Sequence, residues 1–163
     1  MENNTIWKLE LFDPKVDAPD ELLSLFSREY GKVDPANEKY YRWYCMDNPD
    51  GEAIIQIARD PFTNQIIGQD WVIPHRCNIA GKLYTGGIRV NAIVHPDYRE
   101  KGVMSAILTQ PNQALSDKGI DFLIALPNER SINVAQSLGL FKVGHQALIV
   151  KPMNSDFAVN RGE

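Results

Sequence analysis

The chain has 163 residues, 44% of them hydrophobic and 23% charged, with a formal net charge of −4. That length suits one domain with a real core, and the acidic balance argues against general nucleic-acid binding. No apolar run approaches the roughly 20 residues needed to cross a bilayer, and the polar, acidic start Met1-Glu2-Asn3-Asn4 is unlike a signal peptide.

Ile6 to Phe12 alternates and predicts a first strand. Leu22, Leu23, Leu25 and Phe26 share a helical face over Asp20 to Tyr30, with Asp20 as N-cap and Gly31 as stop. Asn37 to Met46 predicts a second short helix, closed by Asn48-Pro49-Asp50-Gly51; its Tyr40, Tyr41, Trp43 and Tyr44 read first as packing. Strands are predicted over Ala53 to Arg59 and Ile66 to Pro74, joined by a turn-rich hairpin connection at 60–65. Arg76 to Ala80 and Lys82 to Tyr84 flank a second hairpin signal at Ala80-Gly81. The strand Ile88 to Val94 follows. Alternation places Ile88, Val90, Ala92 and Val94 on one face and Arg89, Asn91 and Ile93 on the other.

Met104, Ile107, Leu108, Pro111 and Leu115 keep the helical period up to Gly119, and the interior Pro111 predicts a kink. Phe122 to Leu126 is wholly apolar, fit for a strand buried on both faces. Asn128 to Leu138 reads as a helix ended by Gly139, and Leu140 to Lys151 as a last strand. The order β-α-α-β-β-β-α-β-α-β implies a mixed sheet with helices on both faces, an α/β (α+β) fold. Residues 1–151 read as one domain and 152–163 as a loose tail.

Cys45 and Cys77 lack CxxC spacing and read as reduced thiols of a cytoplasmic protein. His75, His95 and His145 are scattered without metal-ligand spacing, so no metal is expected.

The most informative stretch is His95-Pro96-Asp97-Tyr98-Arg99-Glu100-Lys101-Gly102-Val103-Met104. It joins an alternating strand to a helix start. A helix N-terminus offers unpaired N–H groups and the positive end of the macrodipole, and so seats a phosphate. Gly102 permits close approach to the backbone, and Arg99 and Lys101 add positive charge. Spacing alone leaves two readings, an anion site or a plain strand–loop–helix connection.

This stretch resembles the acetyl-CoA signature of the GNAT-type N-acetyltransferases: Arg99 and Gly102 match its first two fixed positions, while Met104 departs at the third. A second block, Pro127-Asn128-Glu129-Arg130-Ser131 closing at Leu138-Gly139-Leu140-Phe141, is similar to the family's helix from an Asn to a Leu-Gly-aromatic step. Leu140 stands where the aromatic usually is. Together the blocks cover roughly residues 86–150. The resemblance implies a mostly antiparallel central sheet, here without the family's last strand, and acetyl-CoA as acyl donor to a small-molecule or peptide amine. It implies that backbone groups of Ile93 and Val94 hold the pantetheine arm and thioester carbonyl. The N–H groups from Glu100 through Lys101, Gly102, Val103 and Met104 to Ser105 would hold the pyrophosphate, and Asn128 would touch the pantetheine. It also makes the Tyr40–Tyr44 aromatics a second candidate role, a wall of the acceptor cleft.

Acyl transfer to an amine needs held reactants, a deprotonated amine, oxyanion donors and an acid for the thiolate. The resemblance puts an acid Tyr where this chain has Ala135, and a base Glu on the strand that here offers Arg89 and Asn91. Neither titrates near neutral pH, which leaves Asn91 to position a water or the amine. His75 and Glu129 are the other titratable candidates. Two readings stay open: an acyl-CoA-dependent N-acyltransferase, or a module of that fold that binds acyl-CoA or a partner without turnover. An uncovered last strand over Leu140 to Lys151 invites pairing with another chain, so the expectation is a homodimer or a further domain covering that edge, against a monomer whose tail, Met153 to Glu163, folds back over it.

Overall fold

The computed structural model describes residues 7–109, 112–128 and 131–144. Its elements run β1 (Lys8–Leu11), α1 (Pro19–Tyr30), α2 (Glu38–Tyr41), β2 (Ile54–Arg59), β3 (Ile66–Ile79), β4 (Lys82–Val94), α3 (Val103–Thr109), α4 (Asn112–Asp117), β5 (Phe122–Ala125) and α5 (Ile132–Ser137). The described strands form one sheet in the order β1-β2-β3-β4-β5, antiparallel except for the parallel β4–β5 pair. The mixed sheet expected from the element order is therefore present, and it is mostly antiparallel, as the resemblance implies.

The two faces carry different helices. Leu22, Leu25 and Phe26 of α1 pack with Ile55, Ile57, Trp71, Ile73 and Ile93. Val103 and Ile107 of α3 pack with Ala58, Ile67 and Val94 on the other face, and Leu115 of α4 with Ile54 and Val72. Burying side chains of this size stabilises by about 1.5–3 kcal/mol each. The approach of α3 depends on Gly68: a Cβ there would stand 2.7 Å from Ile107 Cδ1 and 3.2 Å from Val103 Cγ1. Gly68→Val is expected to destabilise by about 1–3 kcal/mol through overpacking, read as a lower urea midpoint with unchanged slope.

Several boundaries differ from the sequence reading. Helix α1 starts from Ala18 without a side-chain cap, and Asp20 lies inside its first turn. Pro19 takes the first helical position, where its fixed φ and missing N–H suit the start. The Asn37 side chain does cap α2, accepting from Lys39 N at 2.8 Å, but the helix widens into a π-turn over Arg42–Met46. The predicted strand pairs around Pro74 and around Thr85 are two continuous strands. Pro74 fits because its polar edge faces away from β4: its carbonyl accepts from Asn48 Nδ2 at 2.9 Å, beyond the end of β2 pairing. β5 is half-buried rather than buried on both faces, being the edge of the described sheet.

The predicted last strand is not seen where it can be checked. Residues 140–144 have no regular structure and are largely exposed, and 145–151 lie outside the described residues. So do Pro111, with its predicted kink, Glu129 and the tail.

The predicted alternation of β4 is broken at one point. Gly68 pairs with Val94 and Gln69 with Ile93, but Trp71 pairs with Val90, so Asp70 faces both Asn91 and Ala92. That is a β-bulge, and Asn91 takes φ 57° to make it. As a result Ile93 joins Ile88 and Val90 on the α1 face, while Val94 turns to α3.

Candidate active site

β5 pairs with β4 only from Gly86 to Arg89. Beyond Arg89 the two strands part, and the β4 edge from Val90 onward is free of β5. A cleft of about 620 Å³ opens along Ala92–Val94 and continues over Tyr98–Glu100 and Gly102–Ser105, with Glu29 and Tyr30 of α1 on its rim. A larger hollow of about 940 Å³ lies by Ile54 and Thr85 and holds none of the expected site residues.

The turn that closes the cleft is built by local chemistry. The carbonyl of Ile67 accepts from His95 N at 2.8 Å, continuing the sheet for one residue. A 3-10 turn follows over Pro96–Tyr98, with His95 Nδ1 accepting from Asp97 N at 3.3 Å. Glu100 and Gly102 then both adopt left-handed backbone, φ 61° and 79°. Within the described residues, the N–H groups from Glu100 to Ser105 make no backbone hydrogen bond of good geometry. Successive free N–H groups on such a backbone form a concavity suited to an anion, and the start of α3 adds its positive end. A diphosphate fits this donor set.

Side chains pin the turn on two sides. The Tyr98 hydroxyl donates a short hydrogen bond to Asp60 Oδ2. Asp60 also accepts from Phe62 N at 2.7 Å and Thr63 N at 3.0 Å, and these three bonds, Tyr98 first, hold its carboxyl below the usual range. Arg99 donates from Nε to Val94 O at 3.2 Å and pairs with Glu29 of α1. Arg99, the first fixed residue of the sequence motif, thus has a visible structural role, tying the turn to β4 and to α1.

Of the expected cofactor residues, Ile93, Val94, Arg99, Glu100, Gly102, Val103, Met104 and Ser105 all line this one cleft. Lys101 belongs to the same turn, but its Nζ lies 5.3 Å from the Tyr98 ring centroid. Asn128 stands apart from the cleft lining. Its Oδ1 accepts from Ser131 N at 3.1 Å and Ser131 Oγ at 3.0 Å, at the start of α5. Asn91 sits at the bulge beside Ala92, half-buried, with its amide next to the Tyr40 hydroxyl. His75 is at the far part of β3, 3.5 Å from Asp50, and plays no part in the cleft.

The aromatics of the α2 region divide. Tyr41 is buried against Trp71, at 6.0 Å between centroids. Tyr40 and Tyr44 are half-buried, and Trp43, 65% exposed, stacks on Tyr44 at 5.5 Å. Sequence reasoning missed Glu29, Tyr30 and Ala92 of the lining, because nothing local marks a residue brought in from another element.

Among the described residues there is no helix long and apolar enough to cross a membrane, and no group of three metal-ligating side chains. Comparison with known proteins bears on the family and the fold. An Acetyltransferase (GNAT) domain model matches residues 15–140. Glucosamine-6-phosphate N-acetyltransferase from Arabidopsis thaliana superposes with TM-score 0.67 at 13% identity, over 91% of this chain and 99% of that one. An aminoglycoside acetyltransferase from an uncultured soil metagenomic sample, in complex with sisomicin, gives 0.63 at 16%, over 90% and 97%. A predicted acetyltransferase with acetyl-CoA from Clostridium acetobutylicum gives 0.67 at 16%, over 88% and 96%. No curated protein matches the chain. A split sheet with an anion-ready turn at its free edge, and a family match spanning most of the chain, place this protein in the GNAT acetyltransferase family.

Proposed function

We propose that the protein transfers an acetyl group from acetyl-CoA to a primary amine. The observation that carries this reading is the cleft beside the β4–β5 split, which ends in the donor-rich turn at Glu100–Ser105. The turn's N–H groups hold the diphosphate, and the free β4 edge at Ile93 and Val94 holds the arm that leads to the thioester. Bound there, acetyl-CoA supplies an activated acyl group, and the chain's own contribution is positioning and water exclusion. Asn91, at the bulge, positions the amine or a water. Residues 1–151 form the acyltransferase domain, and the free thiols of Cys45 and Cys77 suit a cytoplasmic protein.

A second reading is favoured by Ala135, half-buried on α5, which supplies no acid: a module that binds acyl-CoA without turnover. Calorimetry with acetyl-CoA, followed by thiol-release assays over an amine panel, separates the two. Binding with amine-dependent release supports the enzyme, and binding without it supports the module.

The assembly reading is a homodimer. Its support within the described residues is Phe141 and Val143, 83% and 89% exposed on a stretch with no regular structure. Light scattering across a concentration series is expected to show the dimer mass; a monomer at every concentration would rule it out.

A further inference from the structure

A row of aromatic rings runs from the β4 bulge out to solvent, and packing explains only its inner part. Tyr40 and Tyr44 pack against the α1-face core, which also holds Ile93 of the cleft wall. The Tyr40 hydroxyl lies beside the Asn91 amide, and the next residue, Ala92, begins the cleft lining. Beyond Tyr40 stand Tyr44, at 5.3 Å between ring centroids, and Trp43, at 6.1 Å. Trp43 is held on Tyr44 with only 19° between the ring planes, yet it is 65% exposed. A lone exposed tryptophan would call for no explanation. This one ends a contiguous group that starts beside the bulge residue nearest the cleft.

The backbone is shaped to present it. Over Arg42–Met46 the helix widens to a π-turn, with Asp47 N donating to Arg42 O at 2.8 Å. Such turns are rare and occur frequently at functional sites. Neighbours in sequence do not face each other on a regular α-helix; here the wider turn sets Trp43 and Tyr44 ring on ring. Contacts with Tyr40 and Tyr44 hold the indole in place, so a ligand that stacks on it immobilises little that was free.

Taking the acyltransferase reading as its basis, we propose that the acceptor is an arylalkylamine, a primary amine on a short chain that carries an aromatic ring. Its ring lies against Trp43 and Tyr40, and its nitrogen reaches past Asn91 to the thioester. The nitrogen bonds to the acetyl carbon, the carbon–sulfur bond breaks with its electron pair on sulfur, and the proton leaving nitrogen is taken up by the thiolate. Because the reacting nitrogen is neutral and at the cleft, the part of the acceptor over Trp43 is its body and not its charge. Ring faces suit offset or edge-on contact with another ring. A sugar amine brings hydroxyls that need partners when covered, and the exposed indole face offers none. A polyamine body needs an excess of carboxylates. Over 38–47, Glu38 and Asp47 are balanced by Lys39 and Arg42, with Asp34 near Tyr40.

The test is kcat/KM for acetyl transfer to tryptamine and tyramine, set against butylamine, spermidine and glucosamine 6-phosphate, read by thiol release. For wild type, the aryl amines are expected to exceed the others by at least about tenfold, through a lower KM. Trp43→Ala is expected to lower kcat/KM for tryptamine by about 10–30-fold, almost wholly in KM, while butylamine turnover and the acetyl-CoA Kd from calorimetry change by less than about twofold. Trp43→Phe keeps a ring and is expected to stay within about threefold of wild type. Trp43 is exposed, so its truncation leaves the core intact, which circular dichroism checks. Aryl amines no better than butylamine, a Trp43→Ala loss equal for tryptamine and butylamine, or a preference for spermidine or glucosamine 6-phosphate each overturns the aryl acceptor while the acyltransferase reading stands. Acetyl-CoA binding with no acetylation of tryptamine or tyramine overturns it as well. If wild type does not bind acetyl-CoA, the acyltransferase reading itself falls, and this proposal with it.

Discussion

Gly102→Glu is expected to abolish acetyl-CoA binding in a protein that still folds. Gly102 has φ 79°, a conformation that opposes a side chain by about 1–2 kcal/mol. A Cβ there would make only an ordinary van der Waals contact, with Trp7 Cη2 at 3.8 Å, so a substitution strains one residue without displacing the core. The glutamate carboxylate, however, lands among the N–H groups offered to the diphosphate. It occupies the seat and repels the ligand. Gly102→Ala separates the two effects, since it keeps the backbone strain and omits the charge. Calorimetry should show a modest loss for alanine and a loss greater than about 100-fold, or ~2.7 kcal/mol, for glutamate. Equal affinities for glutamate and wild type, with native circular dichroism, would remove the diphosphate from this turn.

Arg59→Met is expected to be the most destabilising single change away from the cleft. The Arg59 side chain is 8% exposed and donates to Glu10 at 2.7 Å, Glu21 at 2.9 Å, Asp17 at 3.0 Å and the Asn64 carbonyl at 2.8 Å. It therefore joins β1, α1, the segment before it and the β2–β3 connection. Methionine fills much of the volume but leaves three carboxylates close together without their cation. Removing one partner of such a buried network costs about 3–5 kcal/mol, or roughly 10 °C in Tm at this chain length.

The pH dependence follows from Glu10, whose carboxyl is held low by hydrogen bonds from Lys8 and Arg59. A depressed folded pKa stabilises fully above the ordinary value of 4.5, and that contribution is lost as pH falls through the folded value. The gap between wild type and Arg59→Met should therefore be widest near neutral pH and narrow under acid. Urea denaturation at both pH values measures it; a neutral-pH gap below about 1 kcal/mol would reduce the network to a surface contact.

The parts of this molecule that are legible in the sequence are those governed by local rules. The α1 face of Leu22, Leu25 and Phe26 follows from spacing, and the stops at Gly31, Gly119 and Gly139 follow from glycine's freedom, each having positive φ. The turn at Glu100–Gly102 is visible because a strand pattern meets a helix pattern across a glycine. The β4 bulge is not, since alternation is counted by assuming one residue per step; Asn91, a residue tolerant of left-handed backbone, is its faint mark. Pro74 reads as a strand end, yet whether a proline breaks a strand depends on which neighbour its missing N–H would have faced. The burial of Asp70 is hidden for a related reason: its partner Arg89, 2.9 Å away, comes from another strand.

Amine-dependent release of thiol from acetyl-CoA, with N-acetylated product quantified by mass spectrometry in the same reaction, tests the central claim most directly. Release and product are expected in equal amounts, for at least one primary amine, and abolished in Gly102→Glu. Tight acetyl-CoA binding with no amine-dependent release across the panel would contradict the claim and leave a binding module on an acetyltransferase fold.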